Sequence, residues 1–141
     1  MTKVLGVDVG TVRVGLAVSD PGRIVASPLD TLEAGDDPAQ TGERVAERAR
    51  LEACQTVVIG LPKGMSGKDT ASTRLSRDVA DAVAQTGLTV HLWDERLSSA
   101  EAERMMIGAA RRRAERRVAR DRVAAAIILQ GWLDSRQDVS T

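Results

Sequence analysis

Three carboxylates occupy positions where a carboxylate needs a reason. Asp8 interrupts the apolar run VLGVDVG, Glu95 directly follows the run LTVHLW within the tripeptide Asp94-Glu95-Arg96, and Asp121 heads the apolar stretch that ends VAAAIILQGWL. An ionised carboxylate turned toward a core costs several kcal/mol unless it is paired or bound to a cation, so Asp8 calls for a partner: a salt bridge, a turn hydrogen bond or a metal. Glu95 stands at the C-terminal end of its strand, where α/β sheets present working side chains, yet the same tripeptide reads equally as a solvated exit turn. Alternation along the strand sends Asp94 and Glu95 to opposite faces, so one of them points at Asp8 and the sequence does not say which. Asp121 opens the final helix, and counting four and seven on from it reaches Ala125 and Ile128, which places it on the stripe that packs against a sheet; the competing reading is an N-terminal carboxylate favoured by the helix dipole, or a partner for the neighbouring arginines. Together, three acids from separate segments, with a lone His91 and a lone Cys54, suit magnesium or manganese with oxygen ligands rather than zinc. Two such ions roughly 4 Å apart are the usual equipment for phosphodiester hydrolysis.

Cationic groups that could hold a phosphate backbone lie near these acids in sequence. Eight arginines (Arg104, Arg111, Arg112, Arg113, Arg116, Arg117, Arg120 and Arg122) crowd a stretch whose only acids are Glu115 and Asp121, although twenty basic and twenty acidic side chains cancel over the whole chain. Such a run is commonly a solvated helix face; its purity in arginine and its junction with Asp121 point to phosphate contact, with Arg111, Arg112, Arg113, Arg116 and Arg117 as the candidates. Lys63 and Lys68 stand in the loop PKGMSGKDT, Arg96 beside Glu95, and Thr11 in the turn after Asp8; these four are the remaining candidates for nucleic-acid contact. The lysine loop is not a P-loop, because Lys68 precedes Asp69 and the leading glycine position holds Pro62. Thr70 is placed to cap the following helix.

The elements that must position these residues follow from periodicity. KVLGVDV (3–9) and VGLAVSD (14–20) read as strands joined by a turn, and a second turn at Asp20-Pro21-Gly22 leads into a third antiparallel strand. Residues 38–53 are helix-like, TVVIGL (56–61) is a strand buried on both faces, and Leu75, Val79 and Val83 mark a helix. The strand 88–93, a helix from about Ser98 and the final helix complete the order βββαβαβα: a mixed five-stranded α/β sheet with helices on its faces. Residues 1–141 read as a single domain, with 108–120 the candidate mobile segment and 136–141 a frayed tail.

Composition narrows the function classes. With no Phe or Tyr and only Trp93 and Trp132, readout of single strands by base stacking is disfavoured, leaving backbone and shape recognition. A single cysteine, no signal-like start and no long apolar run predict a cytoplasmic protein without membrane contact.

Four blocks, DVGTVRVGLAVSD, GLPKGMSGKD, DERLSSAEAE and RDRVAAAIILQGWL, resemble the signature blocks of the YqgF/RuvX family, in order and across nearly the whole chain. The opening block by itself is shared with sugar kinases and actin-like ATPases, but those enzymes close two such domains over a nucleotide and this length supplies one. The resemblance implies a ribonuclease H-like fold and a nuclease site at Asp8, Glu95 and Asp121. It further implies a homodimer in the bacterial cytoplasm, working on the 5′ end of the 16S ribosomal RNA precursor or, alternatively, on branched DNA as a Holliday junction resolvase. A binding module that assists ribosome assembly without catalysis is the remaining alternative. The family frequently has a threonine where Ser98-Ser99 stands, and the basic stretch is unusually pure in arginine, so groove contacts are expected to differ in detail.

Overall fold

The computed structural model describes residues 2–63, 67–97 and 116–139, giving only the backbone of 116–120 and 137–139. Among them five strands form, β1 (Val4–Val9), β2 (Arg13–Ser19), β3 (Ala26–Glu33), β4 (Thr56–Leu61) and β5 (Thr89–Asp94). They are joined by three helices, α1 (Pro38–Leu51), α2 (Ala71–Gln85) and α3 (Arg116–Val139), and a 3-10 turn at Glu95–Leu97. Local chemistry explains several boundaries. Asp37 accepts a hydrogen bond from the Gln40 amide at 2.8 Å, and Pro38 supplies a pre-set φ to the first turn of α1. Thr70 caps α2 as expected, in a reciprocal box with Thr73, whose hydroxyl also donates to the Pro62 carbonyl and so ties the helix start to the loop leaving β4.

The strands lie in the order β3-β2-β1-β4-β5, antiparallel across β1–β2–β3 and parallel across β1–β4–β5, which is the mixed sheet expected. Side chains alternate between two cores. Leu5, Val7, Val14, Leu16, Val57 and Ile59 face α1 and α2, packing on Val45, Ala49, Val79 and Val83. Val4, Ala17 and Val58 face α3 and meet Ala125, Ile128, Leu129, Trp132 and Leu133. His91 belongs to this second layer, its ring 5.2 Å from that of Trp132, which fits a strand packing residue. Burying each of the larger aliphatic side chains contributes about 1.5–3 kcal/mol, so both faces of the sheet are anchored.

Close approach of α3 depends on three glycines on its side of the sheet. A Cβ at Gly15 would stand 1.9 Å from the Asp121 carbonyl oxygen, at Gly6 2.6 Å from Leu129 Cβ, and at Gly60 2.4 Å from Ile128 Cδ1. At Gly15 and Gly6 only hydrogen fits, whereas Gly60 meets the movable end of a side chain, and the helix backbone therefore rests almost directly on β2 and β1.

Two boundaries differ from expectation. Asp121 does not open the final helix: α3 already runs from Arg116, so Asp121 sits in its second turn, away from the orphan amides and dipole of a helix start. The arginine-rich segment RRVAR is itself a good helix former, which is why the helix continues back through it. At the other end α3 extends to Val139, through most of the segment expected to fray. The helix expected from about Ser98, the candidate mobile segment up to residue 115, and Arg111, Arg112 and Arg113 lie outside the described residues.

Candidate active site

Strand register decides which acids meet. Val7 pairs with Ile59, which sets Asp8 beside Gly60; Gly60 pairs in turn with Trp93. Gly60 and Trp93 share the α3 face with Asp8, and alternation returns to that face two residues after Trp93, at Glu95. The residue turned to Asp8 is thus Glu95. Its carboxylate lies back over β4, where a Cβ on Gly60 would come within 2.8 Å of Glu95 Oε1. Asp94 goes elsewhere: it accepts from the Arg96 backbone amide at 2.9 Å and from Arg96 Nη2 at 2.7 Å, and this pairing, the hydrogen bond above all, draws its pKa down to about 2.

Asp8 and Glu95 form a half-buried acid pair. Burial, then the negative charge of Glu95, the hydrogen bond to Glu95 and the charge of Asp121 push the Asp8 carboxyl up to about 7. Glu95 is also raised, chiefly by burial and further by the charge of Asp94, while the hydrogen bond from Asp8 works the other way. Buried side by side, the two carboxyls titrate as one unit, and both are raised. Near neutral pH the pair is short of positive charge.

Asp121 is delivered to the same place by backbone contact. Gly15, on which the Asp121 carbonyl rests, is the cross-strand partner of Asp8. The Asp121 side chain is near enough for its charge to raise Asp8, but its Oδ2 accepts from Arg13 Nε at 2.8 Å. Among the described residues, no three acidic, imidazole or thiol groups are assembled around one point. What is assembled is an acid pair with a third carboxylate alongside, held by an arginine. This donor set of carboxylate oxygens is of the kind that suits a hard divalent cation.

The remaining candidates are spread around this centre. Thr11 is exposed in the β1–β2 turn, three residues beyond Asp8. Lys63 forms an isolated bridge with Asp69 and is close enough to Asp94 for its charge to be felt there, whereas Lys68 is exposed in the same loop. Arg96, expected on a phosphate, is engaged by Asp94, and its Nη1 faces Gly67 across 3.4 Å measured to an ideal Cβ. Arg116 and Arg117 lie on the first turn of α3, described only in backbone. Sequence reasoning missed Arg13, Gly15 and Gly60. Alternation in VRVGLAV carried a signal for Arg13, since the residue two before Gly15 shares its face, but the assignment of Arg13 to the turn hid it.

Comparisons with known proteins show the family and the fold. The family profile described as RuvX: Holliday junction resolvase matches residues 2–135. A Pelotomaculum thermopropionicum protein named "Putative pre-16S rRNA nuclease" is 37% identical over 135 residues, spanning 95% of this chain and 88% of its own length. A Myxococcus xanthus protein of the same name is 39% identical over 140 residues, spanning 99% and 92%. Thermus thermophilus RuvC in complex with Holliday junction substrate aligns with a TM-score of 0.64 at 18% identity, over 98% of this chain and 97% of that one. A likeness at that identity speaks for the fold, and it bears out the ribonuclease H-like architecture.

Proposed function

Since the chain belongs to the RuvX family, we propose that it is a nuclease that hydrolyses phosphodiester bonds of structured nucleic acid with divalent-cation assistance, its substrate being the 16S ribosomal RNA precursor at its 5′ end. The observation that carries this reading is the convergence of Asp8, Glu95 and Asp121 from three elements on one end of the sheet, Glu95 lying over Gly60 and the Asp121 backbone over Gly15, the cross-strand partner of Asp8. Magnesium or manganese, when bound, supplies Lewis acidity to the attacking and leaving oxygens and offsets charge developing on the phosphate.

The chain's own residues do the rest. Asp8, deprotonated, and Glu95 would present oxygens to the cation, with Asp121 completing the set. Glu95 is kept in place by the space over Gly60, and Asp8 by its register on Gly15. Thr11, Lys63, Lys68 and the outer edge of Arg96 hold flanking phosphates, fixing the backbone so that water attacks in line. Arg111, Arg112, Arg113, Arg116 and Arg117 grip a duplex arm through its phosphates, without base readout. The protein works in the cytoplasm as a homodimer on this proposal; among the described residues, no helix is long and apolar enough to cross a membrane.

A four-way DNA junction is the second reading, favoured by the family description. Labelled precursor RNA, a four-way junction and plain duplex, each incubated with magnesium, manganese or chelator, separate the two. The precursor should be cut at its 5′ side by the unaltered chain and left whole by Asp8→Asn or in chelator, with binding retained. Preferential junction cutting would move the assignment to the second reading. Binding without cleavage under any metal condition would leave a non-catalytic binding module.

A further inference from the structure

Arg13 makes a close charged contact with the third acid of the site. It stands at the start of β2 on the face shared with Gly15 and Ala17, and its Nε meets Asp121 Oδ2 at 2.8 Å with 46% of the arginine side chain and 26% of the aspartate side chain exposed. The backbone of Asp121 has no freedom, because its carbonyl is seated on Gly15. Its side chain is turned to Arg13, yet stays close enough to Asp8 for its charge to be felt there. Inward, without a cation, a third negative charge would be added to a pair that already lacks positive charge. The guanidinium prevents this, and since arginine does not lose its proton in the working pH range, only a competing cation can end the arrangement.

Resting on the metal-dependent reading above, we propose that Arg13 is a positioning residue that stands in for the divalent cation. It holds Asp121 beside the Asp8–Glu95 pair in the free protein, yields it when the cation binds, and then turns to a substrate phosphate. An ion pair this exposed is weak, so exchange costs little. The planar fork released by Asp121 suits two phosphate oxygens as well as it suited a carboxylate. Cation binding would thereby create a phosphate contact at the scissile position, and loading and substrate grip would be linked.

Free manganese, followed by its electron paramagnetic resonance signal as the full chain is titrated without nucleic acid, reads the exchange directly. Arg13→Gln should bind manganese about 2- to 5-fold more tightly, because the competitor for Asp121 is gone; Arg13→Lys, which keeps charge but loses the fork, should fall between. In an Asp121→Asn background the Arg13→Gln effect should largely vanish. In manganese, Arg13→Gln should also bind the labelled precursor more weakly, with a salt slope shallower by about one unit. Unchanged or weaker manganese binding in both Arg13 variants, or the same tightening with and without Asp121, would overturn the role given to Arg13. Asp8→Asn separates the two levels. If it abolishes manganese binding while Arg13→Gln has no effect, only the Arg13 inference falls; if it binds as the unaltered chain does, or if nothing binds, the metal-dependent reading falls and this inference with it.

Discussion

Replacing Asp8 by asparagine should make the metal-free protein more stable, and by an amount that depends on pH. In the folded chain Asp8 keeps its proton up to about pH 7, whereas an ordinary aspartate loses it near 3.8. Between those values the folded state binds more protons than the unfolded state, so stability falls as pH rises across the interval and levels off above about 7. The difference of about 3 units, at 1.36 kcal/mol each, amounts to about 4 kcal/mol of lost stability at about pH 8. At about pH 5 roughly two fifths of that loss has accrued, and near pH 4 only a small part. Asparagine has no charge to desolvate and can still donate to Glu95, so Asp8→Asn should recover these amounts.

For a domain of this size, 3–4 kcal/mol corresponds to a rise in Tm on the order of 10 °C, measurable by thermal denaturation in chelator. The gain should be largest at about pH 8 and shrink steadily toward pH 4. Adding magnesium should raise the Tm of the unaltered chain and leave Asp8→Asn almost unmoved, since a ligand stabilises only the state that binds it. A variant no more stable than the parent at pH 8, or a gain of equal size at every pH, would refute the account: Asp8 would then carry no excess charge, and the pair would not be poised for a cation.

The glycines give two further tests. Gly15→Ala should destabilise by about 3 kcal/mol or more and cut cleavage about a hundredfold, because its Cβ would meet the Asp121 backbone carbonyl at 1.9 Å and α3 must lift by about 1 Å; chemical denaturation and single-turnover cleavage read both. Gly60→Ala should cost only about 1 kcal/mol, since the flexible end of Ile128 can give way, while displacing Glu95 and weakening manganese binding, so its stability and metal affinity should part company.

Much of this was legible in the sequence, and the reason differs by residue. Asp8 declared itself because a charge within VLGVDVG has no cheap explanation. TVVIGL and the Thr70 cap are local patterns, readable without knowing the fold. Choosing between Asp94 and Glu95 was another matter: alternation shows that they diverge, but the choice needs the register Val7–Ile59 and Gly60–Trp93, a non-local property of three strands. Asp121 was placed on the right stripe and at the wrong turn, since nothing in RRVAR stops a helix. Arg96 was read as a phosphate ligand because a carboxylate two residues away was not weighed as its competitor. The Arg13–Asp121 pair joins residues 108 apart, and no periodicity reports such a contact.

The fold and the site are one decision taken at three glycines. A sheet face lined by ordinary β-formers would hold α3 a full side-chain layer away, and Asp121 would hang over solvent rather than beside Asp8. Removing the side chains at Gly6, Gly15 and Gly60 brings the helix backbone down on the strands, at the cost of apolar contacts those positions would otherwise make. The closeness that seats Leu129 in the core also sets Asp121 on the neighbour of Asp8 and leaves room for Glu95 over β4. Bringing three acids together in this way is unfavourable without positive charge. The chain supplies one guanidinium, from Arg13, and a proton held by the Asp8–Glu95 pair; on the proposed reading both would be given up, and a cation replacing both would gain the binding energy that assembly of the site has stored. A scaffold holding such a cluster apart would be more stable and would have no reason to take up a metal.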